Sequence, residues 1–302
     1  MPDNTFANVP GMKTAAAVPD VSAGALTEAV FKAEYVAHSS PCVIRGAVKH
    51  WAALKKWRDK EYLKRRSGQR GVYLYQGENH ITGKRLLPRQ KAVTFADAVD
   101  YLHSEHTQIG IVPTETLAEF LSDLGDIAVL GKTEPAFWYP PARYFFYRNA
   151  GTTWHYHPFD ETLTCQLIGR KKIGLVSSDP PFDHELLNIF FAEDYYDDPT
   201  AFEGFDCAKL RWFSATLEEG DALYIPPLWW HGVVPLTTTF GATAAMTWRS
   251  PLPVIAKGIT QLAHGDVYML GKTIAPHFQA LVELARHLGL ERELKIAWDR
   301  GV

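Results

Sequence analysis

The densest group of chemically capable side chains runs Gly151-Thr152-Thr153-Trp154-His155-Tyr156-His157-Pro158-Phe159-Asp160-Glu161. On a strand, residues i and i+2 point to the same face, so His155 and His157 can converge on one ion. Glu161 reaches the same ion if the chain turns at Pro158. Two neighbouring histidines alone are more often solvated or packed in a core than bound to metal, and a second segment shifts that balance. Gly220-Asp221 opens a turn, a short apolar run follows, and Pro226-Pro227-Leu228-Trp229-Trp230 leads directly into His231. Glycine supplies the turn conformation and the two prolines stiffen the backbone ahead of the third histidine. If a barrel closes there, His231 faces the first pair. Two or three imidazoles, with or without a carboxylate, leave open positions on a divalent metal, as non-haem iron oxygenation requires.

These segments sit in a stretch with the texture of a β-fold. From about 138 to 250, short alternating runs are separated by Gly, Pro and Asp, the pattern of an all-β sandwich or barrel. Within it, Thr162, Thr164 and Gln166 share one strand face and predict a polar interior, while Leu163, Cys165 and Leu167 face covering elements. An acidic and aromatic stretch over 180–208 reads as an insertion between strands. Phe190, Phe191, Tyr195 and Tyr196 stand there beside Glu193, Asp194, Asp197 and Asp198, either as a lid suited to a cationic substrate or as a charged loop with an aromatic anchor. Upstream, residues 1–24 read as a loose tail. Helical spacing follows over 26–38, 50–57, 60–66, 94–103 and 115–124, with strand-like runs at 41–46 and 72–75. Past Pro253 the pattern returns to helix over 255–263, 276–288 and 291–297.

The 302 residues are 46% hydrophobic, enough for a substantial core. The net charge of -3 is spread along the chain with no basic stripe, so nucleic acid is not an expected partner. Three widely spaced cysteines (Cys42, Cys165, Cys207) without a CxxC pattern read as reduced thiols. No run approaches the ~20 apolar residues of a membrane span, and residues 1–24 lack a basic segment followed by a long apolar one. A cytoplasmic protein without membrane contact is the expectation.

The chain resembles the JmjC-type, cupin-like Fe(II)/2-oxoglutarate-dependent oxygenases, in the branch of small side-chain hydroxylases. Four features carry the likeness: Pro41 to Gly46 followed by Trp51; Thr152 to His157; Gln166 to Lys172; and Gly220 to His231, with Trp248 seventeen residues beyond. It implies a mainly β fold, a double-stranded β-helix (cupin or jelly-roll barrel) with a helical N-terminal part and a C-terminal helical appendage. The catalytic domain would span 25–252, and the segment 253–302 would serve dimerisation, as such helices do in related hydroxylases. It also implies Fe(II), 2-oxoglutarate and O2 as metal, cosubstrate and oxidant, with succinate and CO2 as products. The substrate would be a C–H bond of a protein, peptide or amino-acid side chain.

Residue by residue, His155 and His231 match the family's metal histidines, and Lys171 matches the lysine that pairs with the far carboxylate of 2-oxoglutarate. Thr152 matches a hydroxyl that bonds the same carboxylate, and Thr162 and Trp248 are further candidates for the cosubstrate pocket. No catalytic residue beyond the metal ligands is implied. The family's first motif is His-x-Asp/Glu, where this chain has His155-Tyr156-His157. Three ligand sets follow: His155, His157 and His231; these three with Glu161; or Asp160 bulging into the carboxylate position. The first is preferred, with Glu161 as an optional fourth ligand. Two other readings remain open, a 2-oxoglutarate-independent cupin dioxygenase or isomerase, and a non-catalytic cupin binding module.

Overall fold

The computed structural model describes residues 4–77, 90–105, 109–114, 117–136, 140–157, 160–177 and 198–250, together with Leu186, Ile189, Phe190 and Tyr195. The helical segments read over 255–297, and with them the dimerisation surface, lie outside the described residues.

Fourteen strands form two sheets among the described residues. They are β1 (Ala16–Ala17), β2 (Asp20–Ser22), β3 (Cys42–Arg45), β4 (Gly71–Gly77), β5 (Gln90–Thr94), β6 (Ile109–Thr114), β7 (Ala142–Arg148), β8 (Thr152–His155), β9 (Asp160–Ile168), β10 (Lys171–Ser177), β11 (Trp212–Leu217), β12 (Ala222–Ile225), β13 (Trp229–Pro235) and β14 (Phe240–Arg249). The smaller sheet has the order β1-β11-β10-β13-β8 and the larger β2-β3-β12-β9-β14-β7-β6-β4-β5. Consecutive strands β9 and β10 fall in different sheets, and so do β12 and β13. This repeated crossing closes the two sheets into a jelly-roll barrel.

Three apolar layers hold the barrel. Between the sheets lie Ile173, Leu175, Leu217, Leu223 and Ile225. The outer face of the larger sheet packs on the N-terminal helices, where Trp57, Phe95 and Phe120 meet Tyr144 and Phe146. Leu163, Cys165 and Leu167 point into that same layer, as their alternation on β9 requires. The outer face of the smaller sheet is covered by Phe190, Tyr195 and Phe202 over Trp154, Trp212 and Trp230. Phe190 stacks on Trp154 at 4.9 Å, and the Trp154 backbone N–H donates to the Tyr195 hydroxyl at 3.2 Å. These two aromatics of the 180–208 stretch therefore anchor it to the barrel wall. Phe191, Glu193, Asp194, Tyr196 and Asp197 lie outside the described residues.

Two expectations are corrected. Residues 9–22 are not a loose tail: Val9 and Val18 are buried, β1 pairs parallel with β11, and β2 pairs parallel with β3. Strands of two and three residues carry no readable period, because a non-local partner sets them. Likewise β4, β5 and β6 extend the larger sheet, so the sheet begins well before residue 138. The helices over Lys60–Ser67 and Phe95–His103 form as read, capped by Asp59 and Thr94 side chains. Over 118–123 the chain makes a tighter 3-10 turn, and Phe31–Val36 forms a wide π-type turn. All three cysteines are free thiols. No helix among the described residues is long and apolar enough to cross a membrane.

Candidate active site

The three histidines meet at one end of a cavity of about 170 Å³ between the sheets. His155 and His231 are direct cross-strand partners on β8 and β13, a position that sets side chains side by side on one face. Their ring centroids are 4.2 Å apart, and His157 lies 5.0 Å from His231 and 5.4 Å from His155. One ligand nitrogen from each falls within 4.8 Å of the others. The corner before His231 works as its sequence suggests, with one addition. Gly220 turns with φ +91, and after the two prolines Leu228 takes φ +66, which a bulky residue rarely adopts. That conformation lets the Leu228 N–H donate to the His157 carbonyl at 2.8 Å, tying the two histidine segments together. At Gly151 a Cβ would collide with the Val233 carbonyl, so only glycine lets β8 approach β13 this closely.

Backbone carbonyls fix the tautomers. His155 Nδ1 donates to Thr153 O at 2.8 Å and His231 Nδ1 donates to Trp229 O at 2.9 Å. A carbonyl only accepts, so Nδ1 carries the proton and Nε2 presents its lone pair. His157 Nδ1 shares a 2.9 Å hydrogen bond with the Thr162 hydroxyl. Burial lowers the pKa of all three, well below the usual value for His157 and His231, and the positive charge of Arg143 adds to it. The result is three neutral imidazoles, the form that binds a metal. This donor set fits a divalent ion such as Fe(II).

Away from the histidines the cavity is lined by Lys171, Thr152, Tyr147 and Thr243. The Lys171 ammonium sits 5.0 Å from the Tyr147 ring centroid, with only 7% of the residue exposed. No carboxylate among the described residues pairs with it, and burial lowers its pKa to about 7. The Thr152 hydroxyl is buried without a hydrogen-bond partner among the described residues. Both lack what an anion supplies. Below them Gln166 donates to the Tyr147 hydroxyl at 2.9 Å and to the Ile168 and Gly169 carbonyls, and accepts from Thr243. This network holds the Tyr147 ring against Lys171.

Four candidate positions are revised. Glu161 is fully buried on the outer face of β9, accepting hydrogen bonds from Tyr224 at 2.6 Å and Ser250 at 2.5 Å. It does not join the histidines, because it shares strand parity with Leu163 and Cys165. Trp248, paired with Glu161 across the sheet, stacks on Tyr224 in the same outer layer and does not line the cavity. Asp160 is buried but falls outside the cluster of ligand atoms. Thr162 does line the cavity, yet its hydroxyl is engaged with His157. One cavity-lining position has no signal in the sequence: Arg143, on β7. Arg143, Phe145 and Tyr147 alternate with Tyr144 and Phe146, and a strand apolar on both faces does not reveal which face is interior.

Residues 27–251 match the family model described as a cupin-like domain. The chain belongs to this family, the JmjC-type cupins. It is 29% identical over 245 residues to "JmjC domain-containing protein D" of Dictyostelium discoideum, covering 70% of this chain and 52% of that protein. It is 28% identical over 231 residues to "Lysine-specific demethylase JMJ30" of Arabidopsis thaliana, covering 70% and 51%. To "Lysine-specific demethylase 8" of Xenopus tropicalis it is 26% identical over 255 residues, covering 78% and 54%. The chain thus spans about half the length of the curated relatives it matches.

Proposed function

We propose that this protein is an Fe(II)- and 2-oxoglutarate-dependent oxygenase that hydroxylates a C–H bond of a protein, peptide or amino-acid side chain. The observation that carries the reading is the pair of unsatisfied groups, Lys171 and Thr152, in the same cavity as three neutral imidazoles. A buried ammonium without a counterion is costly unless a ligand supplies one. His155, His157 and His231 would hold the metal, and Lys171 with Thr152 would hold the distal carboxylate of the cosubstrate. Bound iron supplies oxygen activation coupled to oxidative decarboxylation of 2-oxoglutarate to succinate and CO2. The chain's own residues do the rest. The Nδ1–H bonds to Thr153 and Trp229 keep two imidazoles aimed, the Gln166 network steadies Tyr147 beside Lys171, and the apolar layer between the sheets excludes water.

Ligand strand spacing is consistent with this division. Lys171 lies four residues along β10 from Leu175, the cross-strand partner of His231. At ~3.3 Å per residue that is roughly 13 Å of strand, a span that the lysine side chain and a five-carbon diacid fill together. Purified protein given Fe(II), ascorbate and 2-oxoglutarate should release succinate slowly without added substrate. Absence of both succinate and 2-oxoglutarate binding would exclude the reading. The all-histidine set favours one alternative, a cupin dioxygenase or isomerase that works without cosubstrate. Turnover of a substrate with 2-oxoglutarate withheld would identify it.

A further inference from the structure

We infer that Thr162 is a positioning residue for the metal centre: its hydroxyl holds the His157 ring with the proton on Nδ1, so that Nε2 is the atom given to the ion. The inference rests on the three-histidine reading of the site and adds how the third ligand is held. His155 and His231 are cross-strand partners in the smaller sheet, and each sets its own tautomer on the carbonyl two residues before it. His157 is held differently. It lies beyond the end of β8, and its Nδ1 meets the Thr162 hydroxyl at 2.9 Å, both residues being buried. Thr162 belongs to the larger sheet, where it pairs with Ile225 on β12 and Thr247 on β14. Ile225 runs directly into Pro226-Pro227-Leu228, and the Leu228 N–H donates to the His157 carbonyl at 2.8 Å. One short stretch, Ile225 to Leu228, therefore grips the His157 backbone at one end and, at the other, pairs with the residue that holds its ring. The same stretch then leads into His231.

The chemistry explains why a hydroxyl matters at this position. An ionised carboxylate, as a His-x-Asp/Glu motif would supply, has no tautomer to set. An imidazole binds an ion only through a nitrogen without a proton, so the proton must stay on the other nitrogen. Putting histidine at position 157 therefore creates a requirement that an acidic ligand does not have. The carbonyls behind His155 and His231 meet it unaided, because a carbonyl only accepts. A hydroxyl has two choices: it can accept from Nδ1–H or donate to a bare Nδ1. Only the accepting arrangement turns an unprotonated Nε2 to the ion, and metal binding selects it. The threonine is β-branched, which restricts χ1 and keeps the hydroxyl aimed at the ring. Partners of this kind behind a ligating histidine are worth roughly 10- to 100-fold in metal affinity.

The test uses the full-length protein with Zn(II) as the probe, its affinity measured by competition with a chelator. Thr162→Val keeps the branched shape and removes the hydroxyl; it should weaken Zn(II) binding roughly 10- to 100-fold, while Thr162→Ser stays within about threefold of the parent. His157→Ala should lose at least as much as Thr162→Val. Adding Thr162→Val to His157→Ala should then cost nothing more, because the two residues act through one ligand. Parent-like affinity in Thr162→Val beside a weakened His157→Ala overturns the inference and leaves the ligand set standing. Parent-like affinity in His157→Ala removes His157 from the ligand set, and the inference with it. A Thr162→Val loss that is undiminished in the His157→Ala background also overturns it, since the hydroxyl would then act on the fold. Nitrogen-15 histidine spectra of the Zn(II)-loaded parent need no variant. They should show His157 protonated at Nδ1, and protonation at Nε2 overturns the inference. None of these measurements uses 2-oxoglutarate, so a failure of the cosubstrate reading is seen separately.

Discussion

Replacing Lys171 with methionine removes a charge while keeping an unbranched chain beside Tyr147, and it should stabilise the protein while disabling the proposed cosubstrate site. In the ligand-free protein burial lowers the lysine pKa from 10.5 to about 7. Between those two values the unfolded chain holds a proton that the folded one does not, so stability rises with pH across that window. Below about pH 7 the penalty of burying the ammonium is complete. At pH 7.5 the gap of ~3 pH units corresponds to at most ~4 kcal/mol. Loss of the contact with the Tyr147 ring takes back ~1 kcal/mol or somewhat more. Lys171→Met should therefore gain about 2–3 kcal/mol, which raises Tm by roughly 4–8 °C in a chain of this size. Binding of 2-oxoglutarate moves the other way. Losing one partner of a buried charge pair costs about 2–5 kcal/mol, or roughly 30- to 5,000-fold in Kd. Thermal melts of the apo protein and anaerobic calorimetry with 2-oxoglutarate measure the two effects. A destabilised variant, or one that binds 2-oxoglutarate within threefold of the parent, would refute the assignment of Lys171.

The remaining predictions use the same groups. A bound carboxylate restores the lysine charge, so 2-oxoglutarate binding at pH 8 should take up close to one proton and weaken as pH rises above about 7; calorimetry in two buffers of different ionisation enthalpy reads the proton, and no uptake contradicts the pairing. Anaerobically loaded His231→Ala should lose its iron, while Glu161→Gln keeps about one equivalent; metal loss in Glu161→Gln would reinstate that carboxylate as a ligand. Burial raises the Glu161 pKa from 4.5 to about 7, so the folded state holds a proton the unfolded state releases, and stability falls as pH rises from about 4.5 through 7, by ~3 kcal/mol. Urea titrations from pH 5 to 8 should show that slope in the parent and a flatter one in Glu161→Gln, and identical profiles would disprove it. Gln166→Leu leaves the Tyr147, Thr243 and carbonyl partners unmatched in a closed interior, and a loss of about 2–4 kcal/mol in the same titrations is expected.

Most of the candidate metal site is legible in local spacing. His155 and His157 carry their geometry in two residues of separation, and the Gly220 turn and proline pair announce the corner that delivers His231. The tautomer bonds of His155 and His231 are equally local, since each of these two imidazoles uses the carbonyl two residues before it. Strand parity separates Thr162, Thr164 and Gln166 from Leu163, Cys165 and Leu167, and the structure keeps that division. Applied one residue earlier, the same parity would have set Glu161 outside with Leu163. The sequence alone does not show where β9 begins after the histidine pair, so that parity had no fixed starting point.

What the sequence determined by itself is therefore the periodic and the covalently near: barrel strands, the histidine pair, the corner before His231 and the likeness to the cupin-like family. Tertiary structure alone decided which face of β7 turns inward and so brings Arg143 to the cavity. It also decided that Trp248 stacks on Tyr224, and that residues 9–22 join both sheets. The reason is physical. A strand apolar on both faces, or only two residues long, leaves its orientation open. Only the partner strand, distant in sequence, settles which side is buried and against what.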